Sequence, residues 1–518
     1  MKKNLWIPGI ACLLIGTAAC SEGGQEELPN IVFLLSDDQT GIATGCYGNP
    51  QVITPNMDKL AGEGIMFRNH YNTSAICMAS RASIMTGMYE YKTGCNFEHG
   101  DLSVDKFKNS YPVILQRAGY FTGFAGKIGF DLDEKDSEKI EKKLPVGYFD
   151  SWGGGPGQTH YTTAKNPTIA SYADEYPHST RAYGAWAGDF IEAAKASGRP
   201  FCMSISFKAP HLPFTPDVYF DHVYEGTVYQ KPANYGAENA THLAPQAKTG
   251  RQYHAYNFWR ESEESYQDAI QSYNQLIHGV DYALGMIRKS LEEQGVADNT
   301  IIILTSDNGY SCGAHNFGGK VLPYEAASKS PLIIYDPRLP KNSRGVERAT
   351  VTANIDMAPT ILSYAGIDIP ENMDGLNLEP LIREEAGIDR EIIALFNMWG
   401  NDEIQEMSVV NSHWKYIYWQ YSDSQMPATE ELFHIGEDPL EMKNLAADPA
   451  YTDQLNEMRS RYEVQFGHLV NHVVDYNNYE KYRVLFNKEA SPAEKAPYLK
   501  GTYKEEIKKG KHRGYKIR

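Results

Sequence analysis

A cysteine and an arginine lie one helical turn apart in the pentapeptide Cys-Met-Ala-Ser-Arg at residues 77–81. If a helix begins at Cys77, the sulfur lies beside unpaired backbone N–H groups at the positive end of the helix dipole, where anions bind and thiols ionise more readily. Arg81 would then face the same anion. The spacing therefore indicates chemistry on an anionic group, with residue 77 as the nucleophile. A buried cysteine followed by a surface arginine is the structural alternative.

Two adjacent carboxylates follow the first apolar run that suits a buried strand. Residues 30–35, Asn-Ile-Val-Phe-Leu-Leu, are typical of a strand buried on both faces, and Asp37 and Asp38 come soon after it. Open α/β sheets place their ligands at the carboxyl ends of parallel strands. Because neighbouring carboxylates repel each other unless a cation lies between them, the pair indicates a divalent metal. A helix cap or a solvated turn is the alternative for this pair alone.

A second predicted strand ends in the same way. Residues 299–306 are again apolar and β-branched, follow a helix predicted at residues 273–294, and lead into Asp307 and Asn308. Carboxylates and an amide carbonyl, without imidazole or thiolate, suit calcium or magnesium better than zinc. Asp-Asn-Gly by itself is a common turn. Taken with the first pair, it completes a set of oxygen ligands for a hard cation.

The segment that begins at residue 77, Cys-x-Ala-Ser-Arg-Ala-Ser-x-Met-Thr-Gly, resembles the signature of the type I sulfatases of the alkaline phosphatase superfamily. In that family a maturation enzyme oxidises the cysteine to formylglycine (3-oxoalanine), whose hydrate is the nucleophile. The resemblance implies that Cys77 is converted in this way. It also implies a Ca²⁺ site, which Mg²⁺ could fill instead, with the ligands Asp37, Asp38, Cys77, Asp307 and Asn308.

Three further matches follow the order of the sulfatase motifs. Lys127, in Ala-Gly-Lys-Ile-Gly, corresponds to a lysine that contacts sulfate, and Lys320, in Gly-Gly-Lys-Val-Leu-Pro, corresponds to the second lysine. His211, in Lys-Ala-Pro-His-Leu-Pro, corresponds to the histidine that protonates the departing oxygen. Each residue alone is more often structural, but the matches occur along the chain in the same order as the sulfatase motifs, which favours the family. With Cys77 and Arg81 they form the catalytic set that the resemblance implies.

One position departs from the family pattern. The family usually has Gly-Lys-x-His at the first lysine motif, where the histidine contacts the formylglycine hydroxyl, whereas this chain has Gly129. Three explanations stay open: another histidine, such as His315 or His99, reaches the same place, or turnover is slower, or this copy is impaired. A glycine here is also compatible with a simple tight turn.

The resemblance implies an α/β fold, with a large alkaline-phosphatase-like mixed sheet sandwiched by helices and a smaller C-terminal subdomain of antiparallel sheet plus helix. A chain of 518 residues with 42% hydrophobic composition is long enough for both parts. Strand-like runs occur at residues 392–396 and 415–419, and a helix is predicted at about residues 451–466. The predicted boundaries divide the chain into a catalytic domain at 29–385, the subdomain at 386–490 and an extended tail at 491–518.

The first residues have the features of an export signal. Residues 1–20 combine a charged start, an apolar stretch and a final cysteine, Cys20, in a context that resembles a lipoprotein cleavage box. Residues 21–28 are polar and acidic, as in a flexible tether. We therefore expect export to the periplasm or the outer membrane, with membrane contact only through a lipid anchor. Export permits disulfides among the cysteines that remain, which are Cys46, Cys95, Cys202 and Cys312.

The charge balance bears on the choice of partner. The formal net charge is −17, and loss of Lys2 and Lys3 with the signal would make it −19, which argues against nucleic acid as a partner. An enzyme for sulfated, anionic substrates then needs positive potential that is local. Arg81, Lys127 and Lys320, together with the metal, would provide it in one pocket.

The family resemblance and the inserts predict a carbohydrate sulfatase that releases sulfate from glycan fragments. Residues 152–178 and 219–260 are rich in Tyr, Trp, His, Asn and Gly, which suit stacking and hydrogen bonding to sugars, although aromatic residues in loops also serve packing. Two alternatives stay open: a phosphodiester or phosphonate hydrolase on the same fold, and a non-catalytic glycan-binding lipoprotein.

Overall fold

The computed structural model describes residues 27–133, 143–385, 387, 390–421 and 426–499. The predicted signal at residues 1–20 and most of the predicted tether lie outside the described residues. Among the helices of the described residues, none is both long enough and apolar enough to cross a membrane.

The strands of the described chain fall into a large sheet, a smaller C-terminal sheet and one short pair. In chain order they are β1 (Asn30–Ser36), β2 (Ile65–Tyr71), β3 (Leu102–Ser103), β4 (Phe121–Lys127), β5 (Leu132–Asp133), β6 (Ser151–Gly155), β7 (Phe201–Ser206), β8 (Thr300–Ser306), β9 (Leu332–Tyr335), β10 (Val346–Ala353), β11 (Ile393–Asn397), β12 (Glu406–Val410), β13 (Lys415–Trp419) and β14 (Thr429–Phe433).

The helices vary from single turns to one of 31 residues. In chain order they are α1 (Pro55–Glu63), α2 (Cys77–Thr86), α3 (Glu90–Thr93), α4 (Val104–Phe107), α5 (Tyr111–Arg117), α6 (Ser179–Ser197), α7 (Arg251–His254), α8 (Glu263–Glu293), α9 (Glu325–Ser328), α10 (Met357–Tyr364), α11 (Glu379–Ile382), α12 (Thr452–His472), α13 (Tyr482–Leu485) and α14 (Pro492–Lys495).

The large sheet has eight strands in the order β10-β2-β9-β8-β1-β7-β4-β6. Most neighbours are parallel, but β9 runs antiparallel to both β2 and β8, so the sheet is mixed, as the family resemblance implies. The central strands β8, β1, β7 and β4 are mutually parallel and in register, with Ser36 beside Ser306 and Leu35 beside Ser206. Their carboxyl ends therefore lie at one edge of the sheet.

Helices cover both faces of this sheet because its central strands are apolar on both sides. In β1, Val32 and Leu34 join the core formed with α6 and α8, whereas Ile31, Phe33 and Leu35 join the core formed with α2, α5 and α10. The alternation follows from the period of two residues in a strand. The sheet is therefore a rigid support for whatever follows its strand ends.

The long helix α8 begins ten residues before its predicted start at residue 273. Ser262 caps it, because its side chain accepts the backbone N–H of Ser265 while the Ser265 side chain accepts that of Ser262. Tyr266 and Ala269 then continue the buried stripe toward the amino end. The helix α12 likewise extends beyond the predicted residue 466 to His472.

A second, antiparallel sheet has the order β11-β12-β13-β14, and α12 packs on it through Leu455, Met458 and Tyr462. The backbone N–H of Phe396 in β11 donates to the carbonyl of Thr73, 2.8 Å away, just before α2. The smaller sheet therefore supports the segment that leads into Cys77.

The predicted extended tail is wrong for its first residues. Pro492–Lys495 and Ala496–Tyr498 form short helices, capped by Ser491, and the buried ammonium of Lys495 donates to the Tyr418 hydroxyl at 3.1 Å. Apolar burial and the capping box account for this order.

Residues 500–518 lie outside the described residues. The five cysteines of the described residues, Cys77 included, are all free thiols.

Candidate active site

Helix α2 brings Cys77 to the edge of the large sheet. Ile76 precedes the helix in extended conformation, Cys77 is its first residue, and Gly87 ends it in the left-handed conformation at φ +67°. A helix therefore begins at Cys77, which is the condition under which the thiol and Arg81 would face the same anion. Every residue of α2 is buried, and Cys77 itself is 2% exposed. The first residue of a helix lies next to backbone N–H groups that have no partner within the helix.

The acidic residues meet this helix start. Ligand atoms of Asp37, Cys77 and Asp307 all lie within 4.8 Å of one another, and so do those of Asp37, Asp38 and His211. The backbone N–H of Asp38 donates to Asp307 Oδ1 at 3.1 Å, which ties the two strand ends together. The convergence follows from the register of β1 with β8. Residues that are distant in sequence therefore form one cluster at the predicted edge.

The predicted cations surround the same carboxylates. Arg81 Nε donates to Asp307 Oδ2 at 2.8 Å, and Lys127 Nζ donates to Asp37 Oδ2 at 2.6 Å. The ammonium of Lys320 contacts Asp38 Oδ1 and lies 4.0 Å from Asp37 Oδ1. Buried charges are stable only when they are paired and hydrogen-bonded, and here each one has a partner of opposite sign.

Burial and pairing set the protonation of these groups. Burial alone would raise the pKa of Asp37, but the charges of Lys127, first, and of Arg81 and Lys320 outweigh it and hold the pKa well below its ordinary value. Burial, with the charge of Asp37, raises the pKa of Asp307 to about 6. Both carboxylates are therefore predominantly ionised at neutral pH, as metal ligands must be.

Two buried oxygens mark where a cation could bind. Asp37 Oδ1 and Asn308 Oδ1 have no hydrogen-bond partner among the described residues, although both residues are fully buried. Asn308 Nδ2 donates to Asp38 Oδ1 at 2.7 Å, which leaves the amide oxygen as the free acceptor. An unsatisfied buried acceptor is costly unless a ligand supplies the missing contact. Carboxylate and amide oxygens are the donor set of calcium or magnesium.

His211 lies beside the carboxylates of this cluster. Its Nδ1 is 2.6 Å from the carbonyl of Leu212, and its Nε2 is 3.8 Å from Asp38 Oδ2. Because a carbonyl only accepts, Nδ1 carries the proton and Nε2 is the ring atom that faces the site. Burial lowers the pKa of this ring to about 4, so it is neutral at pH 7. The hydroxyl of Tyr161 donates to the backbone oxygen of His211 and fixes the loop.

The histidines proposed to substitute at the Gly129 position lie elsewhere. His99 contacts the carbonyls of Asn477 and Met398, and His315 contacts those of Asn239 and Leu440. Both rings join the catalytic part of the chain to the C-terminal region, and neither belongs to the acidic cluster. The explanation that His99 or His315 takes the place of the family's histidine at position 129 is therefore wrong.

Gly129 itself is required by the packing of Arg81. Its φ is +89°, and a Cβ at this position would lie 2.4 Å from Cδ of Arg81. Real Cβ atoms do not come so close to another heavy atom. The buried Arg81 side chain could move away only by breaking its hydrogen bond to Asp307. The stem of the arginine therefore passes through the space beside residue 129 that a histidine side chain would need.

Replacing Gly129 by alanine is expected to lower the free energy of unfolding for two reasons, the positive φ and the collision with Arg81. The collision is expected to contribute about 1–3 kcal/mol of the loss. Gly119→Ala is the matched control, because Gly119 has a similar φ of +97° and nothing within 4 Å of the added Cβ. Urea denaturation of the two variants measures the difference. Equal losses of stability in both would contradict the collision with Arg81.

Sequence patterns missed two residues of the site. Ser206, at the end of β7, accepts a hydrogen bond from Arg81 Nη1, and Lys208 follows it as a buried lysine. Only their position at or just after the end of an apolar strand could have indicated them, because a serine or a lysine there usually has no role in a site. Several aromatic side chains of the inserts serve packing, the alternative stated for them, since those that occupy the core include Tyr161, Tyr224, Tyr229, Phe258 and Trp259. Tyr219, by contrast, is 51% exposed.

The chain is similar to proteins of known family. A family model described as Sulfatase matches residues 29–367, and one described as N-sulphoglucosamine sulphohydrolase, C-terminal, matches residues 313–466. An N-acetylglucosamine-6-O-sulfatase of Bacteroides thetaiotaomicron is 26% identical over 88% of this chain and 90% of its own.

Two solved structures share the fold. One, determined in complex with its substrate D-glucosamine-2-N,6-O-disulfate, has a TM-score of 0.70 and 25% identity and covers 87% of this chain and 100% of its own. The other, a phosphonate monoester hydrolase of Agrobacterium radiobacter, has a TM-score of 0.72 and 20% identity and covers 85% of this chain and 96% of its own.

Proposed function

This chain belongs to the sulfatase family and is a sulfuric ester hydrolase, and we propose that it removes sulfate from sulfated oligosaccharides or polysaccharides. The observation that carries the proposal is the convergence of Cys77 with ionised carboxylates and the buried cations Arg81 and Lys127. Fixed positive charge beside a nucleophile stabilises the transfer of an anionic group. The choice of a carbohydrate rests on the relative and the solved complex, both named for glucosamine sulfates.

The nucleophile that we propose is residue 77 after a formylglycine-generating maturation enzyme has oxidised Cβ of the cysteine to an aldehyde, with the enzyme supplying the oxidant and the sulfur leaving as sulfide. The support is the Cys-x-Ala-Ser-Arg segment and the place of Cys77 at the start of α2. A hydrated aldehyde supplies one hydroxyl that attacks sulfur and a second whose collapse releases sulfate, so no water has to reach the sulfur.

We propose Ca²⁺, with Mg²⁺ as the alternative, as the resident cation. Its ligands would be Asp37, Asp38, Asp307, Asn308 and residue 77, and the two unpartnered oxygens of Asp37 and Asn308 support this choice. Such a cation, when bound, lowers the pKa of a coordinated hydroxyl and neutralises charge on the group that is transferred.

The basic side chains hold the sulfate. Arg81 is fixed by Asp307, by Ser206 and by the backbone oxygen of Lys127, so its guanidinium cannot swing away. The ammonium groups of Lys127 and Lys320 lie against the same carboxylates and extend the positive field over the start of α2. Because these charges are positioned before the substrate arrives, little reorganisation is needed during the reaction.

His211 is the group that protonates the departing sugar oxygen in our proposal. Its Nε2 faces the site while the contact of Nδ1 with Leu212 fixes the ring. Burial keeps the free ring neutral. A bound sulfate ester adds negative charge beside the ring, which raises the pKa of an imidazole and favours the protonated form needed for this step.

A phosphonate or phosphodiester hydrolase is the second candidate. The observation in its favour is the TM-score of 0.72 with the phosphonate monoester hydrolase, which indicates a shared fold. A tetrahedral phosphonate ester would also satisfy the cations of this pocket. Fold likeness alone does not identify a substrate, so the sulfate ester stays the leading candidate.

We further propose that the protein is exported and anchored by lipid at Cys20 in the periplasm or at the outer membrane. The support is the pattern of residues 1–20, with its basic start and apolar stretch. An enzyme placed outside the cytoplasm would meet sulfated glycans there directly.

The test compares aryl esters that differ in the transferred group and adds one sugar sulfate. Protein coexpressed with a maturation enzyme should hydrolyse 4-nitrophenyl sulfate and N-acetylglucosamine 6-sulfate, with kcat/KM for the aryl sulfate at least about tenfold above that for 4-nitrophenyl phosphate and an aryl phosphonate, a difference of about 1.4 kcal/mol in the barrier. A Cys77→Ala preparation measures contaminating activity. Faster turnover of the phosphonate than of the sulfate would favour the second candidate.

A further inference from the structure

Lys208 is a buried cation of the site to which the sulfatase motifs assign no role. It follows β7, three residues before His211, and is 6% exposed. Its Nζ donates to the backbone oxygen of Gln158 at 3.2 Å and lies 5.3 Å from the centre of the Tyr161 ring. Both acceptors are neutral, and no carboxylate of the described residues lies within the 4.0 Å of an ion pair.

The other cations of the pocket are already paired. The three carboxylates of Asp37, Asp38 and Asp307 are matched by three basic groups, which are Arg81, Lys127 and Lys320. Among these four basic groups, Lys208 is the one without a carboxylate partner at ion-pair distance in the described residues. A buried ammonium without a counter-ion is costly, and an anionic ligand would remove that cost.

The backbone places Lys208 between the two strand ends that hold the site. The N–H of Phe207 donates to the carbonyl of Leu35 at 2.8 Å, and the N–H of Asp37 donates to the carbonyl of Ala209 at 3.0 Å. On the other side of β7, Ser206 is in register with Gly126, the residue before Lys127. Lys208 therefore follows β7 at the point where the ends of β1 and β4 lie on either side of it.

The electrostatics agree with this position. Burial lowers the pKa of the Lys208 ammonium to about 8, Asp37 and Asp38 oppose this shift, and Lys127 adds to it. The charges of the catalytic cluster therefore reach Lys208 directly. An anion placed among these groups would stabilise the protonated ammonium.

We propose that Lys208 is a substrate-binding residue whose ammonium holds an oxygen of the reacting sulfate, as a fourth cation of the pocket beside Arg81, Lys127 and Lys320. The inference rests on the proposed function. The carbonyl of Gln158 and the ring of Tyr161 hold the ammonium in place without neutralising it, so its charge remains available to the anion. A fixed, uncompensated cation contributes to binding of the anion rather than to stability of the fold.

The test uses inorganic sulfate and 4-nitrophenyl sulfate with the full chain carrying matured residue 77. Lys208→Met and Lys208→Gln are both expected to weaken binding of sulfate, measured by calorimetry and as an inhibition constant, and to raise KM, each by about tenfold or more, as for a hydrogen bond to a charged group. Lys208→Gln can keep the bond to Gln158 without the charge, so it separates charge from packing. Lys208→Arg should restore most of the affinity.

Lys495→Met is the matched control. Lys495 is also buried, donates to one neutral oxygen, the Tyr418 hydroxyl, and has a pKa that burial lowers to about 8, but it lies in the C-terminal region. Its removal should change thermal stability without changing the sulfate constants. An unchanged sulfate affinity in both Lys208→Met and Lys208→Gln, or an equal loss in Lys495→Met, would overturn the inference.

The calorimetric measurement needs no turnover, which separates this inference from the proposed function. If the wild-type protein binds sulfate through Lys208 but hydrolyses no sulfate ester, the assignment of Lys208 stands and the proposed function fails. If the wild-type protein hydrolyses sulfate esters and the Lys208 variants bind sulfate as well as it does, the proposed function stands and the assignment of Lys208 fails.

Discussion

Replacement of Cys77 by alanine is expected to reduce kcat for 4-nitrophenyl sulfate by on the order of 10⁴- to 10⁶-fold, as removal of a catalytic nucleophile does. The substitution removes the thiol without which Cβ of residue 77 cannot be oxidised to the aldehyde, and the remaining cations can bind sulfate without attacking it. Alanine keeps Cβ of residue 77 and lacks only the group attached to it, so α2 and its neighbours stay in place. We therefore expect the thermal midpoint to stay within a few degrees of the wild-type value.

Cys202→Ala is the matched control for this prediction. Cys202 is also a free, buried cysteine, but it lies near the amino end of β7, in the core beneath the sheet. Its replacement should cost a similar amount of stability and leave kcat unchanged. If the Cys77→Ala protein keeps kcat within about tenfold of wild type, residue 77 is not the nucleophile.

Replacement of His211 by glutamine is expected to lower kcat/KM for N-acetylglucosamine 6-sulfate by about 10²- to 10⁴-fold, the usual contribution of a general acid. The sugar hydroxyl is a poor leaving group and needs the proton. 4-Nitrophenol leaves readily as its anion, so the same variant should lose much less activity on the aryl sulfate. The ratio between the two substrates isolates the proton transfer from any general loss of structure.

His70→Gln is the control for His211. The ring of His70 is also fully buried and burial lowers its pKa to about 4, but it contacts Thr352 in the sheet instead of facing the acidic cluster. This variant should lose stability without changing the ratio between the two substrates. Equal losses on the sugar sulfate and the aryl sulfate in His211→Gln would show that the ring does not act as the acid.

Local patterns predicted the parts of the site that lie at strand ends. The apolar runs before Asp37 and Asp307 form central parallel strands, and the rule that such strands end at one edge brings the two carboxylates together. The helix start at Cys77 was only a condition of the sequence argument, and the structure supplies it. The mixed sheet and the separate antiparallel sheet are as the family resemblance implies.

Contacts between distant side chains could not be predicted in this way. The collision between a side chain at position 129 and the stem of Arg81 depends on how α2 packs against β4, which no pattern in either segment contains. The burial of Lys208 depends on the loop that carries Gln158. The aromatic inserts likewise contribute residues such as Trp259 to the core, because the chain folds back over α8.

The central claim is that residue 77, which lies among the carboxylates and cations of the site, is an aldehyde in the active protein. Mass spectrometry of the tryptic peptide of residues 69–81, from protein made together with a maturation enzyme, tests it most directly. We predict the mass of formylglycine in place of cysteine, in a fraction of molecules that matches the fraction of active sites. A peptide that carries only the unmodified thiol, from a preparation that hydrolyses sulfate esters at full rate, would contradict the account.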